Sequence, residues 1–433
     1  MTPGARLQSA IEILGGIFKS GRPADRVFDT WARSSRFAGS KDRTAVSEIV
    51  FTVLRRRAEL AAACGSEDAR LLAFADLHLI GGKPVAEIEM LADGSRHAPA
   101  PLTAEERAAL DAASLPGADA APHIRFNYPE FLQPEFERAF GPRLDAEMAA
   151  LSDRAPTDLR LNTLKSSRDK ALAALAGQGI AAEPCAHSPW GIRLLVRANL
   201  PGLQLFREGA IEVQDEGSQL ACLLSAVKPG EQVVDLCAGG GGKSLALAAM
   251  MGNRGQIYAC DIDARRLGGL VPRAERAGIR NLQTRVLAPY RPGEPNAVLA
   301  DLEGRADCVL VDAPCSGTGA WRRSPDARWR LTPEVLAGYV AAQDEVLARG
   351  ARLVRPGGRL VYVTCSLLPS ENEDRIAAFA AANPAFRLED WQIHWPESLP
   401  ALPAAAGGSL RLSPSTAGTD GFFIAILRCG AGA

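Results

Sequence analysis

The chain has 433 residues, 47% hydrophobic and 23% charged, too long for one ordinary core and balanced like a globular enzyme, so two or three domains are expected. The net charge of −1 argues against a general affinity for polyanions and leaves room for local basic surfaces. No run of about 18 apolar residues occurs to span a membrane, and the nine cysteines form no C-x-x-C pair, so free thiols in a reducing cytoplasm are the simplest expectation.

The N-terminus reads as an amphipathic helix, with Leu7, Ala10, Ile11, Leu14, Ile17 and Phe18 on one period, and does not resemble a signal peptide. Ala45, Val46, Ile49, Val50, Val53 and Leu54 repeat the pattern, with Ser40 as the predicted N-cap. Residues 1–60 hold eleven Lys or Arg against six acids, which is either a basic binding surface or a solvated helical face. Strand-like alternation is absent to about residue 90, so residues 1–125 are predicted to be all-helical, with an Ala/Pro/Gly-rich connector over 93–122.

Residues 126–225 read as a small α+β piece, with strands at Leu159–Leu161 and Ile192–Val196 and a helix over Asp169–Ala176. From 226 to 433 apolar strands are predicted at Val233–Cys237, Ile257–Cys260, Leu282–Leu287, Cys308–Val311, Arg359–Thr364 and Phe422–Leu427. Helical stretches such as Asp263–Ala277 and Pro333–Val354 separate most of them. This alternation implies an α/β fold with a mostly parallel, doubly wound sheet, whose ligands sit beyond the carboxyl ends of the strands.

The strand ends carry the chemistry. The first runs into Asp235-Leu236-Cys237-Ala238-Gly239-Gly240-Gly241-Gly242-Lys243-Ser244, a turn through which backbone can approach a ligand. Gly242-Lys243-Ser244 fits a phosphate loop, but Cys237 stands where that motif needs glycine, and G-x-G-x-x-G fails in every frame. The second ends in Cys260-Asp261-Ile262-Asp263, where Asp263 could meet a ribose or cap the following helix. Two further strands end in Asp312-Ala313-Pro314-Cys315 and Thr364-Cys365-Ser366, after a predicted hairpin at Pro356-Gly357-Gly358. Cysteines at such positions are candidate nucleophiles. Cys237, Cys260 and Cys308 lie within apolar strands and read as core.

Taken together, Asp312-Ala313-Pro314-Cys315-Ser316-Gly317-Thr318-Gly319 and Thr364-Cys365-Ser366 resemble the Nop/Sun family of RNA cytosine-5 methyltransferases. Leu161-Asn162-Thr163-Leu164-Lys165, Val213–Gln219, Arg322–Asp326, Pro369–Glu373 and Asp420–Phe423 agree, so the resemblance covers about 155–428. Ala38–Arg43 and Val53–Arg57 are similar to the NusB-like RNA-binding domain of the bacterial small-subunit ribosomal RNA members. The resemblance implies a Rossmann-like class I methyltransferase domain behind an α+β subdomain and a NusB-like domain, S-adenosylmethionine as cofactor, and small-subunit ribosomal RNA bound by a monomer.

It also implies roles. Cys365 attacks carbon 6 of cytosine, Cys315 assists release, and Asp312 holds the base edge. Cys237, Ala238, Gly239, Gly240, Gly241, Gly242, Lys243, Asp263 and Asp312 surround the cofactor. Arg160, Asn162, Lys165, Arg322 and Arg323 contact RNA, with Arg328 and Arg330 nearby; the alternative for the arginines is pairing with Asp326 and Glu334. Two departures stand out: Gly240 replaces a usual proline, and Leu287-Ala288-Pro289 offers no acid for the adenine amino group, leaving a backbone carbonyl or Asp301. Competing readings are a non-catalytic ribosome-assembly factor and a P-loop triphosphatase. A DNA cytosine methylase is less favoured because no Glu-Asn-Val occurs.

Overall fold

The computed structural model describes residues 1–289, 297–402 and 407–431. The chain forms two compact units, residues 1–153 with 321–333, and residues 154–320 with 334–433.

The first unit is helical. Its core takes Leu7, Ala10 and Leu14 from the Pro3–Ser20 helix, Val46, Val50 and Val53 from the Ser40–Arg55 helix, and Leu72 and Phe74 from the Ala69–Ala75 helix. Ser40 begins its helix instead of capping it, and the Gly39 amide donates to Asp42 Oδ2 at 3.2 Å. The predicted connector contains a helix, Ala104–Ala112. Thr103 and Glu106 close a reciprocal capping box there, and the Arg70 guanidinium grips Glu106 at 2.7 Å, so local hydrogen bonds outweigh the loop-like composition. Helices continue through Leu144–Ser152, past the predicted boundary at 125.

The second unit contains two sheets. Strands β1 (Thr157–Leu161), β2 (Ala182–Pro184), β3 (Gly191–Leu194) and β4 (Ile211–Val213) form an antiparallel sheet in the order β2-β3-β1-β4. The Arg168–Ala176 helix covers it with Ala171 and Leu175.

The larger sheet contains β5 (Gln232–Asp235), β6 (Gln256–Asp261), β7 (Leu282–Val286), β8 (Ala306–Asp312), β9 (Val354–Thr364), β10 (Phe386–Glu389), β11 (Leu410–Leu412) and β12 (Phe422–Cys429). Its order is β10-β12-β9-β8-β5-β6-β7, with β11 paired to β12. Strands β5 to β9 are mutually parallel, and β12 returns antiparallel on β9. Alternation buries both faces: Val233, Cys308, Leu310, Val361 and Val363 point to one, and Val234, Val309, Val311, Leu360 and Tyr362 to the other. The sequence Pro356-Gly357-Gly358, expected as a hairpin, lies inside β9, where the pairing with β8 is irregular. The chain runs outward in one direction through β5, β6 and β7, then restarts at β8 on the other side of β5. The carboxyl ends of β5 and β8 therefore flank the switch point, the natural position for a crevice.

Candidate active site

The turn after β5 is held from below. Asp235 is fully buried and accepts from Ser244 Oγ at 2.6 Å. The Ala238 amide donates to the Cys260 carbonyl at 2.9 Å, and the Gly239 amide to Asp261 Oδ2 at 2.7 Å. Gly241 has φ +80°, and a Cβ there would lie 2.0 Å from Leu270 Cδ1, so both backbone sign and packing require glycine.

Two arginines hold the turn's carbonyls. Arg160 donates to the Gly242 carbonyl and to Gln214 Oε1, and Arg273 to the Gly240 carbonyl and, at 2.9 Å, to Glu212. This corrects the expectation that Arg160 contacts RNA: its side chain is buried beneath the turn. Asn162 is also buried, spanning the carbonyls of Gly209 and Ala277 at 2.9 and 2.8 Å. Lys165 Nζ sits 2.6 Å from the carbonyls of Glu208 and Arg276. At the end of the Ala264–Ala277 helix, Asn162 and Lys165 satisfy orphan carbonyls and join β1's loop to it.

A cavity of about 390 Å³ opens beyond the strand ends, within the usual range of small-molecule sites. From the β5 turn, Leu236 and Cys237 face it; Cys237, read as core, is therefore a wall. Burial, then the charges of Asp235, Asp312 and Asp261, hold its thiol well above the ordinary range. Asp261 and Ile262 line the β6 end. Asp263 is turned away, capping its helix through the amides of Arg265 and Arg266 at 2.8 and 3.2 Å. Of the two acids, Asp261, at the last position of β6, lines the cavity, and Asp263 takes the capping role. Leu287 closes the side past β7; Asp301, considered as an adenine contact, is mostly exposed and paired with Arg285 at 2.6 Å.

The long Pro333–Leu353 helix contributes Ala342, Glu345, Val346 and Arg349, a spacing that puts all four on one face. Sequence reading missed this wall. Glu345 and Arg349 pair at 3.0 Å, and burial raises the Glu345 carboxyl.

The floor is formed by Asp312, Ala313, Pro314, Cys315 and Cys365. The structure brings the two cysteines together, sulfur to sulfur at 3.5 Å. The Cys365 sulfur, then burial and the charge of Glu371, push the Cys315 thiol well above its ordinary range, which favours a neutral thiol there. Lys243 Nζ lies 2.7 Å from Asp312 Oδ2. Burial opposes the lysine's charge, but Asp312, together with Cys222 and Cys365, outweighs it and holds Lys243 above its usual value. A buried lysine committed to an aspartate is poorly disposed to reach the terminal phosphates of a nucleotide, which counts against the triphosphatase reading.

The remaining expected RNA contacts fall in the first unit. Residues 321–333 pack there: Trp321 lies edge-on to Phe136 at 6.0 Å, and Trp329 Nε1 donates to the Leu54 carbonyl at 2.7 Å. Arg328 is 1% exposed and donates to the Asn127 carbonyl at 2.7 Å. Burial, then the charge of Arg55, lowers its pKa to about 9, and its hydrogen bond to Asn127 ties it into the packing of the helical unit. Arg330 pairs with Asp326, which also accepts from the Ala24 amide at 3.1 Å. Arg322 is buried and Arg323 exposed.

Comparison with known proteins identifies the family. Residues 222–428 match the family described as 16S rRNA methyltransferase RsmB/F, and residues 128–200 match the RsmF/B-like ferredoxin-like domain. The probable ribosomal RNA small subunit methyltransferase B of Synechocystis sp. is 35% identical over 310 residues, covering 70% of this chain and 67% of the relative. Its Bacillus subtilis counterpart is 32% identical over 304 residues, 70% of this chain and 66% of that protein. Among solved structures, PH0851 superposes with a TM-score of 0.76 at 26% identity over 99% of both chains. A methyltransferase homologue from Pyrococcus horikoshii gives 0.60 at 29% identity, over 71% of this chain and 97% of its own. Methyltransferases of this class take their methyl group from S-adenosylmethionine. The glycine turn, the acid ending β6 and the paired thiols are thus features of a family member: the chain belongs to the RsmB/F family of 16S rRNA methyltransferases.

Proposed function

We propose that the protein transfers a methyl group to carbon 5 of a cytosine in RNA, with small-subunit ribosomal RNA as the substrate class. The observation that carries this reading is the pair of thiols 3.5 Å apart on the floor of the cavity. A single thiol serves many reactions, whereas two suit one that must add to a ring and later let it go.

Carbon 5 of cytosine is a poor nucleophile. Addition of the Cys365 thiolate to carbon 6 turns the ring into an enamine, which makes carbon 5 reactive. Asp312 faces the cytosine edge and Lys243 fixes that carboxylate by its ion pair. Cytosine is preferred over uracil because the donor and acceptor pattern at the edge is reversed between them. The base reaches the floor unstacked from its neighbours. When bound, S-adenosylmethionine supplies an electrophilic methyl group. Of the cavity lining, Asp261 would meet its ribose, Ile262 and Leu287 would flank the adenine, and Cys237 would lie towards the methionine end. The rest of the turn, Ala238, Gly239, Gly240, Gly241, Gly242 and Lys243, lies outside that lining and would bound the methionine end from behind Cys237. The cavity's volume, and its apolar walls interrupted by the acids Asp261, Asp312 and Glu345, fit that molecule. After transfer the carbon 5 proton passes to water, its bonding pair forms the carbon 5–carbon 6 double bond, and Cys365 leaves as a thiolate that the neutral Cys315 thiol, 3.5 Å away, stabilises by hydrogen bonding.

The test is transfer of labelled methyl groups to ribosomal RNA. Cys365→Ala is expected to abolish it, and Cys315→Ala to accumulate a protein–RNA adduct that survives denaturation. Full activity of Cys365→Ala overturns the assignment of the nucleophile.

A further inference from the structure

Glu371 lies outside the cavity lining, yet both loops that form its floor converge on it. Its side chain is fully buried, on the short helical turn Pro369–Glu371 that follows β9. Oε1 accepts from the Ser316 amide at 2.8 Å and from Gln343 Nε2 at 2.9 Å. Oε2 accepts from the hydroxyls of Ser316 and Ser366. Ser316 follows Cys315 and Ser366 follows Cys365, so one carboxylate grips the residue after each sulfur. Gln343 adds a third point, since it also donates to the Pro314 carbonyl at 2.9 Å and is adjacent to the wall residue Ala342. The four donating groups are neutral, and Ser316 and Ser366 lie 3.2 Å apart between the loops. A salt bridge could have stabilised a buried acid with less elaborate geometry; instead, paired donors fix its position by direction.

Resting on the methyltransferase reading above, we infer that Glu371 is a positioning residue for the reaction, holding the Pro-Cys-Ser and Thr-Cys-Ser loops at the separation that lets one sulfur add to the base and the other assist its release. Two attributes contribute, and two variants separate them. Glu371→Asp keeps the charge but is one methylene too short to reach both serines. Glu371→Gln keeps the length but removes the charge and replaces one acceptor with a donor.

The experiment measures three quantities in the full chain: labelled methyl transfer to ribosomal RNA, calorimetric binding of S-adenosylmethionine, and the rate of iodoacetamide alkylation of each cysteine, read by peptide mass spectrometry. Both variants are expected to lose at least about tenfold in kcat, because displacing reacting groups by a fraction of an ångström costs that much. Cofactor affinity should stay within about threefold, since Glu371 does not line the cavity. Glu371→Gln should alkylate Cys315 at least about threefold faster than wild type, because the nearby negative charge disfavours its thiolate, whereas Glu371→Asp should not. Ser366→Ala, which removes one of the donating hydroxyls, provides a milder break with the same direction of change in kcat. Kcat within twofold of wild type in both Glu371 variants overturns the inference, as does a parallel loss of cofactor binding, which marks a general support of the fold. If the wild-type chain methylates no cytosine, the functional reading fails on its own. An unchanged alkylation pattern in Glu371→Gln then overturns the role of Glu371 independently of it.

Discussion

Asp235 ends β5 with its carboxyl fully buried beneath the glycine-rich turn, one oxygen bonded to Ser244 and the other without a hydrogen-bond partner. Burial raises its pKa from 3.8 to about 7. A carboxyl whose folded pKa lies above its unfolded value contributes stability that is complete below the unfolded pKa and is lost as pH rises through the folded one. The window is therefore pH 4 to 7, and stability falls with rising pH within it. A shift of roughly three units corresponds to about 4 kcal/mol once complete, of which about 2–3 kcal/mol develops between pH 5 and pH 8. Asp235→Asn replaces the ionising group with a neutral one of the same shape. The variant's stability relative to wild type should improve by that amount from pH 5 to pH 8, a relative gain in Tm of roughly 5–10 °C for a unit of this size. Thermal unfolding of both proteins across the range isolates the group, because every other titration is common to the two. A difference in Tm that stays constant from pH 5 to pH 8 would refute the argument.

Two other substitutions probe the turn. Gly241→Ala adds the left-handed backbone penalty to displacement of the buried Leu270, together about 2–4 kcal/mol, so S-adenosylmethionine affinity should fall on the order of 100-fold; a Kd within threefold of wild type contradicts the geometry. Arg160→Met removes the guanidinium from the Gly242 carbonyl and should weaken cofactor binding by about tenfold, at roughly 1–2 kcal/mol for a lost charged hydrogen bond, while the salt dependence of RNA binding stays unchanged. A changed salt slope with unaltered cofactor affinity would restore Arg160 to the RNA surface.

Much of the second unit was legible because its strands are short apolar runs punctuated by glycine and acid. Their ends were visible as places where a chain must turn, and Cys315 and Cys365 stand at two of them. What local pattern could not resolve was which of two nearby residues faces the cavity. Asp261 and Asp263 read alike in sequence, but Asp261 ends the strand and reaches under the turn to the Gly239 amide, and Asp263 is captured by two helix amides. Arg160 shows the same limit: alternation puts it opposite Leu159 and Leu161, but only the fold reveals that the opposite face is covered by the Gly242 turn. The helix face of Ala342, Glu345, Val346 and Arg349 had a readable period and an unreadable partner. The helix within 93–122 was hidden because composition masked the Thr103 and Glu106 pairing.

Residues 321–333 belong to the helical unit although they are specified between β8 and β9. Ala24 and Asp326 are separated by 302 positions in the chain, and Leu54 and Trp329 by 275. On a ribosome adding about 5–20 residues per second, the first helices emerge many seconds before the segment that completes their packing. The helical unit is thus first made and late finished. A fragment ending at 153 lacks the Trp321 and Arg328 side chains that fill it. The protein cannot be divided into its two units by one cut.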